Sequence, residues 1–168
     1  LYNNPGLTKI PFQMETLVKL IERPEVIGFK DSSGDMKYFH KLLEIAEKSG
    51  LPLFIGPEEL LMESLIMGGT GGIPGGANIF PHLYVSIYES VMEGNYEKAG
   101  KLHRKVLQLC EIVYHGNEYG SSGVINGIKC ALKHLNICND YTAQQLKKAD
   151  KKKSDRIKTF LTEELREQ

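Results

Sequence analysis

The stretch Val26-Ile27-Gly28-Phe29-Lys30-Asp31-Ser32-Ser33-Gly34-Asp35 decides the fold. A short apolar run of strand length, bounded by Pro24 upstream and Gly34 downstream, ends in a lysine. In barrel and open α/β folds the carboxyl ends of the strands are where ligands and chemistry gather. Lys30 is therefore a candidate for an amine that forms a Schiff base. The alternative is a lysine that simply extends its charged head into water.

On either side of this stretch the hydrophobic period switches to that of helices. Met14, Leu17, Val18 and Ile21 recur at helical spacing, as do Phe39, Leu42, Leu43 and Ala46. Asp35 reads as the N-cap of a helix running to about Lys48, and Gly50 with Pro52 stops it before a strand over Leu53 to Gly56. A short helix from about Leu60 to Met67 is expected next. The glycines at 68, 69, 71, 72, 75 and 76 surround Ile73 and Pro74, a strand where backbone comes close to something. Their spacing matches neither a Walker loop nor a dinucleotide fingerprint, and they are expected to form a wall that leaves room for a substrate. Alternating strands and helices imply parallel strands joined by right-handed crossovers. Four such units make half a barrel or an open four-stranded sheet.

Beyond Pro81 the pattern is wholly helical. Leu83, Ile87 and Val91 form one stripe, and Leu102, Val106, Leu109 and Val113 another; a helical segment over Gly123 to Leu135 and a last helix over about Asp155 to Arg166 follow.

Composition excludes several function classes. The 168 residues, 41% hydrophobic and 25% charged, suit a globular protein, and 21 basic residues balance 21 acidic ones, so no overall field recruits nucleic acid or an anionic membrane. The basic run of Lys147, Lys148, Lys151, Lys152 and Lys153 is expected to be solvated charge flanking a helix. Cys110, Cys130 and Cys138 lack Cys-x-x-Cys spacing and fit buried free thiols in a reducing cytoplasm better than a disulfide framework or a zinc site. No segment reaches the roughly 18 apolar residues of a membrane span, so a soluble, cytoplasmic protein is expected.

Upstream, Leu1-Tyr2-Asn3-Asn4-Pro5-Gly6-Leu7-Thr8 places a phenol at a depth in the sheet similar to that of Lys30, and a tyrosine beside an amine is a plausible proton shuttle. Together these residues resemble the family of dihydrodipicolinate synthase and N-acetylneuraminate lyase, whose strands read roughly Tyr-Asn-x-Pro-x-x-Ser/Thr and Gly-x-Lys-x-x-x-Gly. The likeness continues through Phe54-Ile55-Gly56, Gly71-Gly72-Ile73, Ala77-Asn78-Ile79 and Glu93-Gly94-Asn95-Tyr96. It implies an α/β fold: the C-terminal half of a (β/α)8 TIM barrel, strands five to eight, over residues 1–80, with the last barrel helix and a C-terminal helical extension over 81–168. The chain starts at Leu1 inside a strand without an initiator Met, as expected of a fragment. The resemblance places the Gly-Thr-Thr-Gly-Glu-like carboxylate loop in the other half.

The resemblance further implies a class I aldolase that needs no metal or organic cofactor, with Lys30 and Tyr2 catalytic. Thr8, Gly56, Glu59 and Ile73 then border the substrate, Gly56 and Ile73 chiefly through backbone. Asp31, Ser32 and Ser33 are expected either to orient substrate hydroxyls or to cap the next helix. An ordinary lysine, with a pKa of about 10.4, is neutral about four times in ten thousand at pH 7. The apolar approach of Val26, Ile27 and Phe29 is expected to supply the dryness that the chemistry requires. Partners are then a 2-oxo acid and an aldehyde. Leu7 stands where dihydrodipicolinate synthases place an arginine for a second carboxylate, and Glu58-Glu59 resembles the acidic pair with which sialic acid lyases bind sugar hydroxyls. Gly75 stands where those lyases offer a serine. A lyase acting on a 2-keto-3-deoxy or sialic-like sugar acid is therefore the expected activity. The alternatives are condensation of pyruvate with aspartate semialdehyde, or a noncatalytic binding barrel. The family also implies a homotetramer, a dimer of dimers.

Overall fold

In the computed structural model, which describes residues 1–114 and 123–164, four short strands form one parallel sheet in the order β1-β2-β3-β4. They are β1 (Tyr2–Asn3), β2 (Phe29–Asp31), β3 (Leu53–Ile55) and β4 (Gly71–Gly72). The single turn α1 (Pro5–Thr8) and α2 (Met14–Leu20) join β1 to β2, α3 (Met36–Ser49) joins β2 to β3, and a 3-10 turn over Glu58–Leu60 with α4 (Leu61–Ile66) joins β3 to β4. Strand and helix alternate, and neighbours in sequence are neighbours in the sheet, as expected of right-handed crossovers.

Side chains alternate across the sheet. Phe29, Asp31, Leu53 and Ile55 are buried, and Phe29 and Leu53 border the same apolar space as Leu17 of α2 and Leu42 of α3. Tyr2, Lys30 and Phe54 occupy the opposite parity. Helix α3 starts and stops where its sequence dictates: the Asp35 carboxylate accepts from the backbone N–H groups of Lys37 and Tyr38, and Gly50 ends it at φ 69°.

Two expectations about this region change. Strand β2 begins at Phe29, and Ile27 is 81% exposed, so the Val26-Ile27 approach does not enclose the lysine. Two of the glycines near β4, Gly69 and Gly72, make room for protein. A Cβ on Gly69 would lie 2.7 Å from the Ser64 carbonyl oxygen, and one on Gly72 would lie 2.6 Å from Leu61 Cδ1, so both let α4 pack close.

By internal contact the chain forms two compact units, one of Leu1–Pro74 with Val85–Lys101, the other of Gly75–Tyr84 with Leu102–Gln168. Helices α5 (Pro81–Met92) and α6 (Tyr96–Leu109) each contribute to both. Residues 81–84 thus group with the second unit, and 85–101 with the first.

In the second unit α6 widens into a π-helical turn over Cys110–Tyr114, followed by α7 (Gly123–His134) and α8 (Lys151–Glu164). The expected end of the last helix, Arg166, lies outside the described residues. Val106, Leu109, Val113 and Ile157 are wholly buried, and Phe80 meets Phe160 edge to face at 6.3 Å. The lysine run is not uniformly solvated: Lys153 is 7% exposed, and its ammonium donates to the Gly123 carbonyl and Asn126 Oδ1, both at 3.0 Å. Burial holds its pKa below the ordinary lysine value. Lys148 pairs with Asp140 at 3.1 Å, and Asp140, hydrogen-bonded also by Lys133, is held at about 2. Cys110 and Cys130 are buried, but Cys138 is exposed in the bend after α7, where no apolar helix face covers it. Among the described residues no helix is long and apolar enough to cross a membrane, and no group of three or more His, Cys, Asp or Glu could hold a metal ion.

The tightest approach in this unit is Gly127 of α7, where a Cβ would lie 1.9 Å from the Val113 carbonyl oxygen. Backbone cannot yield as a side chain would, so Gly127→Ala should force the two segments apart. A loss of about 3 kcal/mol in denaturant unfolding is expected; an unchanged midpoint would show that the contact is dispensable.

Candidate active site

The parallel register sets Tyr2 directly beside Lys30, with Lys30 beside Phe54 and Phe54 beside Gly71. Register partners point to the same face of a sheet, so the phenol and the amine meet by construction. The Lys30 Nζ lies 4.8 Å from the centre of the Tyr2 ring, within cation–π range. Lys30 is half-buried and Tyr2 is 52% exposed. The Tyr2 hydroxyl accepts a 2.8 Å hydrogen bond from Asn4 Nδ2. Burial pushes this phenol up, but hydrogen bonds with Ser32 and Asn4 and the charge of Lys30 together bring it below the ordinary tyrosine value.

Beneath this pair, on the helix side of the sheet, a closed circuit of hydrogen bonds fixes the two strands. Asn3 and Asp31 are 1% and 0% exposed, and Asn3 Nδ2 donates to Asp31 Oδ1 at 2.7 Å. The Ser33 hydroxyl donates to Asp31 Oδ2 at 2.8 Å and accepts from the Asp35 N–H at 3.1 Å. Asp35 accepts from the Tyr38 N–H at 3.2 Å, the Tyr38 hydroxyl donates to the Phe12 carbonyl at 2.8 Å, and the Phe12 N–H returns to Asn3 Oδ1 at 3.2 Å. Burial, with the Asp31 charge nearby, pushes the Tyr38 phenol up to about 12, so it stays protonated and able to donate.

The other expected site residues lie at the carboxyl ends of the strands or just beyond. The Gly56 N–H donates to the Asp31 carbonyl at 2.7 Å, and the Ile73 N–H to the Ile55 carbonyl at 2.9 Å, each extending the ladder by one step. Ile73 is 50% exposed. Glu59 sits half-buried in the 3-10 turn after β3, beside the buried Glu58. Thr8 ends α1, where its hydroxyl is within bonding distance of the Asn4 carbonyl at 3.1 Å and the Ile10 carbonyl at 2.9 Å, so it supports the turn. Of the residues after Lys30, Ser33 serves the strand-to-helix junction, whereas Ser32 helps to lower the pKa of the phenol. Sequence reasoning missed Asn4 as a partner of Tyr2. The available signal was a polar residue at the open position of Tyr-Asn-x-Pro.

The circuit predicts a pH-dependent stability change. Asn3→Ala leaves the Phe12 N–H and one Asp31 lone pair without their partner and should cost about 2 kcal/mol. Asn3→Asp adds a carboxylate against Asp31 and should cost more at pH 7. Because like charge raises the pKa of the pair, a shared proton should relieve that extra cost as the pH falls toward about 4. Melting curves at both pH values check this; an Asn3→Asp deficit independent of pH would contradict it.

A model of the dihydrodipicolinate synthetase family matches residues 1–164. The 4-hydroxy-tetrahydrodipicolinate synthase of Methanospirillum hungatei is 27% identical over 161 residues, covering 96% of this chain and 53% of that protein. The enzyme of the same name from Methanopyrus kandleri is 36% identical over 110 residues, 65% of this chain and 36% of the relative. Among solved structures, dihydrodipicolinate synthase from Bacteroides thetaiotaomicron matches with a TM-score of 0.88 at 38% identity, over 97% of this chain and 55% of that one. N-acetylneuraminate lyase from Fusobacterium nucleatum matches with a TM-score of 0.79 at 23% identity over 97% and 53%, a likeness of fold alone. The chain spans about half the length of the curated relatives it matches. Its parallel sheet and C-terminal helices correspond to half of a (β/α)8 TIM barrel with a helical extension. On this match of model, sequence and fold, the chain belongs to the dihydrodipicolinate synthetase family.

Proposed function

We propose that the protein acts as a class I aldolase or lyase, joining or separating a pyruvate-type 2-oxo acid and an aldehyde through a Schiff base on Lys30. The observation that carries this reading is the in-register placement of an amine against a phenol at the carboxyl edge of a parallel sheet, with Nζ 4.8 Å from the ring centre.

The amine in its neutral form attacks the keto carbon, a C–N bond forms, and the carbonyl oxygen leaves as water after two proton transfers. The resulting protonated imine is an electron sink. In the cleavage direction Tyr2, as the phenolate, takes the proton of the hydroxyl at the carbon beyond the breaking bond and becomes the neutral phenol. The C–C electron pair passes into the imine as an enamine, and the aldehyde departs. Protonation of the enamine carbon and hydrolysis of the imine return the 2-oxo acid and the free lysine. In the condensing direction the same phenol supplies that proton to the aldehyde oxygen. A phenol held below its ordinary pKa gives and takes this proton more readily near neutrality.

Leu7, 66% exposed within α1, presents no guanidinium for a second carboxylate. Together with the acidic turn at Glu58 and Glu59, this favours a 2-keto-3-deoxy or sialic-like sugar acid. The names of the curated relatives favour a second reading, condensation of pyruvate with aspartate semialdehyde.

In the intact protein, borohydride with pyruvate should leave one reduced pyruvate on Lys30, and Lys30→Ala should abolish it while keeping the fold. Tyr2→Phe should still form the adduct but lower turnover by roughly a hundredfold or more. Lyase turnover retained in Lys30→Ala would refute the mechanism, and failure of the native protein to trap pyruvate would favour a noncatalytic binding barrel. Release of pyruvate from sugar acids, set against condensation with the semialdehyde, decides between the two reactions.

A further inference from the structure

We infer that Asn4 and Ser32 are positioning residues that clamp the Tyr2 phenol, and that position 56 is glycine because the Ser32 hydroxyl occupies its side-chain space. The inference rests on the reading of Tyr2 as proton shuttle for its catalytic meaning, but its geometry stands independently of any substrate.

Asn4 occupies the N-cap of α1, where an asparagine side chain ordinarily accepts a backbone N–H of the first turn. It makes no such cap. Its amide instead donates to the Tyr2 hydroxyl at 2.8 Å, so a local stabilising bond gives way to one that orients the phenol. Ser32 approaches from the next strand. Its backbone N–H donates to the Asn3 carbonyl at 2.7 Å, which extends the β1–β2 ladder and puts Ser32 on the face of Lys30 and Tyr2, where its hydroxyl favours the ionised phenol.

Gly56 makes this possible. An ideal Cβ there would lie 1.8 Å from Ser32 Oγ and 2.9 Å from Ser32 Cβ. The glycine also donates its N–H to the Asp31 carbonyl at 2.7 Å, which holds it against the same strand end. An alanine at 56 could be accommodated only by moving the strand end or rotating the serine hydroxyl away from its present place, and the second is the smaller adjustment. The clamp thus draws on three strand ends: a donor from the loop after β1, a hydroxyl from the residue after β2, and the side-chain space that Gly56 leaves to that hydroxyl after β3. The Asn4 donor, with the Ser32 hydroxyl on the same face, stabilises the anionic form of that oxygen, as a group that exchanges a proton with substrate requires.

The test reads the phenol directly. Labelling the tyrosine ring carbon that bears oxygen, and subtracting the Tyr2→Phe spectrum, isolates the Tyr2 titration by NMR in the intact protein without substrate. Ser32→Ala and Asn4→Ala should each move that titration to higher pH, and Ser32→Thr, which keeps the hydroxyl, should leave it in place. Gly56→Ala should reproduce the Ser32→Ala shift, and the double variant should move it no further. In turnover, Ser32→Ala should lower kcat roughly tenfold and shift the basic limb of its pH profile upward, with the KM for pyruvate within about twofold. A Tyr2 titration that stays put in Ser32→Ala and Asn4→Ala overturns the clamp. So does one that Gly56→Ala leaves unmoved. Failure of the native protein to trap pyruvate at Lys30 would sink the proposed reaction, while the phenol titration would still decide the clamp.

Discussion

The parallel in-register pairing of β1 with β2 is the constraint on which the rest depends. A parallel ladder places Tyr2 and Lys30 on one face and Asn3 and Asp31 on the other. One pair is left accessible for chemistry and the other is sealed under the helices. A slip of β2 by one residue would turn Lys30 toward the helices and Asp31 to the open face, parting each from its partner on β1. The charged hydrogen bond of Asn3 to Asp31, out of water, makes that slip costly. Register and the exposure of each pair are therefore set by the same few atoms.

The fold, and the adjacency of Tyr2 and Lys30, were legible for a common reason: both are written in short-range pattern. Helical spacing before and after Lys30, Asp35 as a cap and Gly50 as a stop are local signals that survived folding. The lysine at a strand end and the phenol in Tyr-Asn-x-Pro are local too, and the family resemblance joined them. The misses depend on what the chain meets elsewhere. Ile27 continues an apolar run but falls outside β2, because the ladder begins only where Phe29 finds the Pro52 carbonyl. Lys153 ends a run of charge, yet α7 presents a carbonyl and an amide oxygen that take its ammonium out of water. Cys138 follows an apolar helix and then sits in a bend with nothing over it.

Glycine was the least readable residue. The cluster near β4 suggested space kept open for a ligand, whereas Gly69 and Gly72 are small so that α4 can close onto the strand. Gly56, one residue beyond β3, has its volume filled by a serine from a neighbouring strand. In each case the reason for glycine is an atom distant in sequence, which no local pattern contains.

The Asn3, Asp31, Ser33, Asp35, Tyr38 and Phe12 linkages close on themselves. A linear relay has a terminus where fraying begins, but a ring offers none, and every member is oriented by neighbours on two sides. Thermal agitation at the strand tips must rupture it at two places before β1 can separate from the start of α3. The strand edge that carries Tyr2 and Lys30 thereby acquires stiffness from an arrangement on the opposite face of the sheet.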